Sequence, residues 1–183
     1  MNNDYFNIIS IDPGKNLGIA ILSIDANTFN IIDIKTETYY LDKLANDGVD
    51  RTINRLVILQ NIISNLYLTY LPIVVCYETP FINSKFPMAV VQLTQYTTVI
   101  EMTLKNLNPY IRIFKFPPRY IKMAIGAGGD ADKDGMYNTV SKVSELVNYI
   151  HPSMTEHVID AVAIGYTILS DIREFPHILY ALY

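Results

Sequence analysis

Apolar and polar positions divide the chain into segments of two different periods. Tyr5 to Ile11 and Leu17 to Ile24 are runs rich in β-branched residues, separated by the turn formers Pro13 and Gly14, and Phe29 to Thr38 continues with rough alternation. This pattern predicts three strands in a meander. Leu41 to Asp50 is polar and reads as a loop, and Asp50 can cap a helix from Arg51 to about Tyr70 that Pro72 ends. Ile73 to Tyr77 is a continuous apolar run closed by Glu78, as in a strand buried on both faces. A helix from Ser84 or Pro87 to about Leu107 follows, then a strand from Tyr110 to Phe116 and a short helix from Pro117 and Pro118 to near Gly126. Two closing helices, about Gly135 to Tyr149 and Thr155 to Ser170, are separated by His151 and Pro152.

Three strands followed by strands alternating with helices predict an α/β fold, a five-stranded mixed sheet with helices on both faces. Met136, Val140, Val143, Val147 and Ile150 form a helical stripe, expected as core or as a dimer surface. At 183 residues a single domain is expected, with 171–183 as a C-terminal tail.

Leu56 to Tyr77 carries no charge, which raises the question of a membrane span. Polar residues interrupt it, while Leu56, Leu59, Ile63, Leu66 and Tyr70 recur at helical spacing. That is an amphipathic helix running into a strand, not a span. The N-terminus lacks a basic region ahead of its first apolar run, unlike a secretion signal, so the expected location is the cytoplasm. The lone cysteine, Cys76, cannot form an internal disulfide and is expected as a buried strand residue.

The formal net charge of −4 argues against nucleic acid until its distribution is considered. Between Lys105 and Lys142 lie seven of the 14 basic residues against three acids, a local balance of +4 that leaves −8 for the remainder. A basic segment on an acidic protein can hold phosphates locally, although a solvated helix face has the same composition.

Four side chains carry candidate chemistry. Asp12 ends the first strand in IDPGKNLG; alone it would read as a turn residue bonding its own backbone. Glu78 closes an apolar strand in VVCYETP, where an acid has few structural reasons to be. If those two strands are neighbours, the carboxylates face each other across the strand ends. In HVIDAVAIG, His157 and Asp160 share one face of the last helix among small and apolar residues. A site for hard divalent cations, which prefer oxygen ligands, accounts for all four and suits phosphodiester hydrolysis.

The segments IDPGKNLGIAIL, YETPF, IKMAIGAGGDADKDGMYNTV and HVIDAVAIG, in that order, resemble the RuvC family of Holliday-junction resolvases over about residues 5 to 170. The resemblance implies a ribonuclease H-like fold, two magnesium or manganese ions per site, and a homodimer that resolves four-way DNA junctions by paired symmetric nicks. It makes Asp12, Glu78 and Asp160 metal ligands with His157 at the remaining position. It gives Lys122 and Lys133 catalytic and phosphate-positioning roles, and gives Phe81 a role in stacking on an exposed base. Many relatives have aspartate where His157 stands; histidine is a softer ligand, so greater dependence on manganese is expected. Lys15 and Asn16 follow the first acid, where they could lie beside the phosphate or simply form the turn. Lys15 and Arg119 join the expected DNA-contacting set, and Asp132 and Asp134 are expected to be solvated.

Other readings remain open from sequence. They are a ribonuclease H-like nuclease acting on RNA–DNA hybrids or general branched DNA, and a non-catalytic junction-binding protein. A fragment of the actin, sugar-kinase and heat-shock ATPase superfamily is a further reading, disfavoured because that architecture needs two such domains. A helicase partner is not legible.

Overall fold

The computed structural model describes residues 4–45, 50–80, 87–128 and 133–179. Strands β1 (Tyr5–Asp12), β2 (Asn16–Asp25) and β3 (Ile31–Tyr40) form the predicted antiparallel meander. A one-turn helix α1 (Leu41–Leu44) and the long α2 (Arg51–Tyr70) lead to β4 (Val74–Glu78), which pairs parallel with β1. Helix α3 (Pro87–Leu107) returns the chain to β5 (Arg112–Phe116), parallel to β4. Helices α4 (Pro118–Ala124), α5 (Lys133–Val140) and α6 (Glu156–Glu174) follow, with a closing 3-10 turn at Pro176–Leu179. The sheet order is β3-β2-β1-β4-β5, the five-stranded mixed sheet that the pattern predicts.

Alternation along the strands sorts the core into two layers. Ile8, Leu22, Val74 and Cys76 face the layer that holds α6, while Ile9, Ile19, Val75 and Tyr77 face Leu59 of α2 and Ile100 of α3. The run Val74–Tyr77 is buried throughout because both faces of β4 are covered, and Cys76 is a free, buried thiol. Among the described residues no helix is long and apolar enough to cross a membrane.

Helix α6 crosses the sheet on a bed of small residues. A Cβ at Gly18 of β2 would lie 2.0 Å from the His157 carbonyl oxygen, and one at Gly165 would lie 2.7 Å from Ser10 Oγ. Only hydrogen at these two positions lets the helix axis approach the strands so closely. This approach brings the first turn of α6 against the end of β1.

The structure corrects several sequence expectations. The helix expected over Gly135 to Tyr149 ends at Val140, and the chain continues in short turns such as Val143 N–H to Val140 O at 3.2 Å. Thr139, Val140, Ser141, Val143 and Ser144 are poor helix formers whose branched or hydroxyl side chains compete with the helical backbone. The inner residues of this stretch are therefore Met136, Val140, Leu146 and Ile150, while Val147 of the expected stripe is exposed. Asp50 occupies the N-cap position of α2, but its side chain makes no capping bond. The loop expected from Leu41 contains α1, and α6 extends to Glu174 within the expected tail.

Candidate active site

The C-terminal ends of β1 and β4 lie side by side, with Ile11 opposite Tyr77, so Asp12 and Glu78 emerge at the same edge of the sheet. Asp12 also pairs with Gly18, the residue on which the first turn of α6 rests. Thr155 caps that helix, its hydroxyl accepting from the Val158 N–H at 3.4 Å. The cap starts α6 so that His157 meets β1: His157 Nδ1 stands 2.8 Å from Asp12 Oδ2. The other ring nitrogen, Nε2, is 3.2 Å from Asn16 Nδ2 and 3.6 Å from a Glu156 carboxylate oxygen.

Charge in this corner is unbalanced. Burial, then repulsion from Asp12 and Asp160, raises the Glu78 carboxyl to about 7, and Lys122 opposes the shift. The Asp12 hydrogen bond is the largest cause raising the His157 pKa, burial works against it, and the charges of Asp12, Glu156 and Asp160 add to the rise. Glu78 of β4 thus lies within electrostatic reach of Asp12 of β1, Asp160 of α6 and Lys122 of α4, and His157 within reach of Asp12 and Asp160.

Among the described residues no three His, Cys, Asp or Glu side chains stand close enough together to hold a metal ion. The donor types nonetheless fit a hard divalent cation, because carboxylates held in mutual repulsion gain most when a cation is added. Asp12 is turned towards His157, and both ring nitrogens of His157 face protein groups. A cation ligated by His157 would have to displace one of those contacts and the proton that Asp12 favours.

The remaining predicted residues are placed differently. Lys15, half exposed, stands 3.8 Å from Asp42, which Arg55 also holds at 2.6 Å. Arg119 is exposed on the first turn of α4. Phe81 and Asp132 lie outside the described residues, as do the side chains of Lys133 and Asp134. Glu156 at the site and Asp42 behind Lys15 were not singled out from sequence. An acid directly before His157 in the first helical turn is a local signal for the former; the latter depends on a contact 27 residues apart in the chain.

A five-stranded mixed sheet of this order, with helices on both faces, is the α/β ribonuclease H-like fold. Thermus thermophilus RuvC superposes with a TM-score of 0.66 at 16% identity, covering 96% of this chain and 95% of that one. The yeast mitochondrial Holliday junction resolvase gives 0.64 at 11% identity, covering 97% and 85%. In sequence, the crossover junction endodeoxyribonuclease RuvC of Ehrlichia canis is 28% identical over 166 residues, 87% of this chain and 93% of the relative. The model of the family described as crossover junction endodeoxyribonuclease RuvC matches residues 8–168. The chain belongs to the RuvC family, and its function at that level is that of a nuclease.

Proposed function

We propose that this protein is a divalent-metal-dependent endonuclease that resolves four-way DNA junctions by paired, symmetric nicks. The observation that carries the reading is Glu78: a carboxyl raised to about 7 by burial and by Asp12 and Asp160, at the end of a strand beside Asp12. Such a group costs stability in the absence of a cation, and a site that tolerates this cost is organised around a charge still to arrive.

Asp12, Glu78 and Asp160, with His157, would hold magnesium or manganese, two ions per site. Bound there, the ions supply Lewis acidity for an activated water and for the leaving oxygen of the phosphodiester. The protein's own groups do the rest. Asp12 orients His157 through Nδ1 and Asn16 meets Nε2, fixing the imidazole plane. Glu78 gives up its proton as positive charge approaches. Lys122, whose charge already acts on Glu78, stands where it can offset negative charge growing on the phosphate. Arg119, Lys133 and Lys15 are assigned to backbone phosphates, and Phe81 to an unstacked base. A four-way junction has near two-fold symmetry, so a two-fold homodimer would present two matching sites.

The test is cleavage of a synthetic four-way junction beside linear duplex, an RNA–DNA hybrid and ATP, with either metal and with an Asp12→Asn variant. Symmetric nicks on the junction, reduced about 1000-fold or more in the variant while junction binding persists, are expected. Cleavage of the hybrid in preference to the junction, or equal activity of the variant, overturns the reading.

A further inference from the structure

The catalytic acids emerge at the C-terminal ends of β1 and β4. The outer edge of the sheet, at β5, has its own concave surface. A cavity of about 580 Å³ runs along β5, with Glu101 and Lys105 of α3 on one side and His177 and Ile178 of the 3-10 turn on the other. A second cavity of about 270 Å³ adjoins it, sharing Ile111 and Arg112 and continuing past Ile73 and Tyr110. Together they make an extended groove that begins where Arg112 pairs with Val74, at the N-terminal end of β4.

Three properties define what this groove would take. First, β5 is the last strand in the order, and among the described residues no strand pairs with its outer edge. Alternate residues of an edge strand direct N–H and C=O outward, the template for an added strand. Second, the groove is cationic but partly committed. Lys105 Nζ donates to the Pro109 and Ile111 carbonyls at 3.0 and 2.9 Å, and Lys115 pairs with Glu101 at 2.7 Å. Among the described residues, Arg112 Nε is buried and has no hydrogen-bond partner. A buried donor of this kind costs free energy until an acceptor arrives, and a guanidinium prefers a carboxylate or phosphate. Third, the rim is apolar: Tyr110 is 84% exposed and Leu71 66% exposed, with Ile113, Phe114 and Ile178 inside.

We propose that the β5 groove is a docking site for an extended, acidic, apolar-bearing peptide segment of a partner protein, added as a strand to the edge of the sheet. Its alternate apolar side chains would cover Ile113 on the α3 face of β5 and reach Tyr110 at the end of the groove, and its carboxylates would meet Arg112 on the other face, beside Phe114 and Ile178. A DNA backbone fits less well, because the apolar rim gives phosphates nothing and Lys105 and Lys115 are already held by Pro109, Ile111 and Glu101. A second copy of this chain is opposed by charge: two β5 edges paired about a two-fold axis would bring together two strands that each carry Arg112 and Lys115 and no acid.

The experiment titrates the isotopically labelled full chain with a capped hexapeptide of alternating valine and glutamate, followed by amide shifts and amide exchange. Shifts and slowed exchange centred on β5 and Tyr110 are expected. Arg112→Gln should weaken binding about tenfold or more, the loss of one charge-assisted contact. Tyr110→Ala, at a surface position that leaves the core intact, should weaken it as well, and junction nicking should stay unchanged in both variants. Four results would overturn the proposal: no shifts at millimolar peptide, or equal binding of a valine–lysine hexapeptide; the same residues responding to single-stranded oligonucleotide and not to the peptide; or the β5 signals broadening with protein concentration alone, which would assign the groove to self-association.

Discussion

At its C-terminal end α6 is clamped to the rest of the molecule by a satisfied charge pair, while at its N-terminal end it closes near a buried carboxyl, Glu78, that Asp12 and Asp160 repel. Arg173 donates to the Phe29 carbonyl at 2.8 and 3.0 Å and to both oxygens of Glu145 at 3.0 and 2.5 Å. That hydrogen bonding holds the Glu145 carboxyl below its ordinary range. Thirteen residues before Arg173 stands Asp160, whose charge, after burial and Asp12, helps hold the Glu78 carboxyl above its ordinary range. One helix thus joins a region arranged for stability to a region where burial and like charge cost stability.

The largest effect expected is from Gly18→Ala, because it attacks the approach on which the acidic end depends. The added methyl would lie 2.0 Å from a backbone oxygen of α6, which cannot rotate away as a side-chain tip can. Displacing the first turn of the helix separates His157 from Asp12. Loss of about 3 kcal/mol in denaturant unfolding and of about 100-fold in junction nicking is expected. Unfolding and nicking both at wild-type levels would show that α6 need not sit so closely.

Glu78→Gln should split stability from activity. The folded pKa of about 7 lies above the ordinary 4.5, so the folded protein takes up a proton between these values. Stability of the metal-free protein therefore rises as pH falls from about 7 to 4.5, and the penalty is fully present above 7. The glutamine variant should be more stable than wild type by about 2 kcal/mol near pH 8, level with it at the acid end of that window, and unable to nick. Wild type should also gain thermal stability from manganese where the variant does not. A variant less stable at pH 8 would mean that the carboxylate is already compensated.

The clamp should respond with the opposite sign. Glu145 has its pKa lowered, so its contribution is present above the ordinary carboxylate range and is lost as pH falls through the folded value. Arg173→Met should cost about 1 to 2 kcal/mol near neutrality, a modest figure because both side chains are partly exposed, at 27% and 37%. Nicking per folded molecule should not change. A large activity loss without a stability loss would show that the two ends of α6 are coupled.

What was legible in the sequence divides along similar lines. The continuous apolar run of β4, the meander and the acids at IDPG and YET could be read because periodicity and turn chemistry are local. The break after Val140 could be read only in part, since helix-period apolar residues persist through Ile150 while β-branched and hydroxyl residues end the helix itself. Lys15 follows Asp12 in the chain, yet it faces Asp42, a carboxylate shared with Arg55 that no spacing rule could supply. The contact of Asn16 with His157 spans 141 positions. Such pairings are decided by how strands and helices assemble, so the residues at the strand ends could be read while their hydrogen bonds could not.

The smallest effect expected is the most specific to this chain and concerns His157. Its ring engages Asp12 through Nδ1 and Asn16 through Nε2, so ligation by imidazole competes with two protein contacts and with a favoured proton. Neutral imidazole suits manganese better than magnesium, whereas a carboxylate suits both. His157→Asp removes the competing proton and supplies a harder donor, at the cost of one more negative charge beside Asp12 and Asp160. The ratio of nicking in magnesium to nicking in manganese should therefore rise about three- to tenfold. The metal-free variant should be less stable than wild type, because a partner of Asp12 has become a repelling group. An unchanged metal ratio together with that loss of stability would place His157 in the support of Asp12 and outside the ligand set.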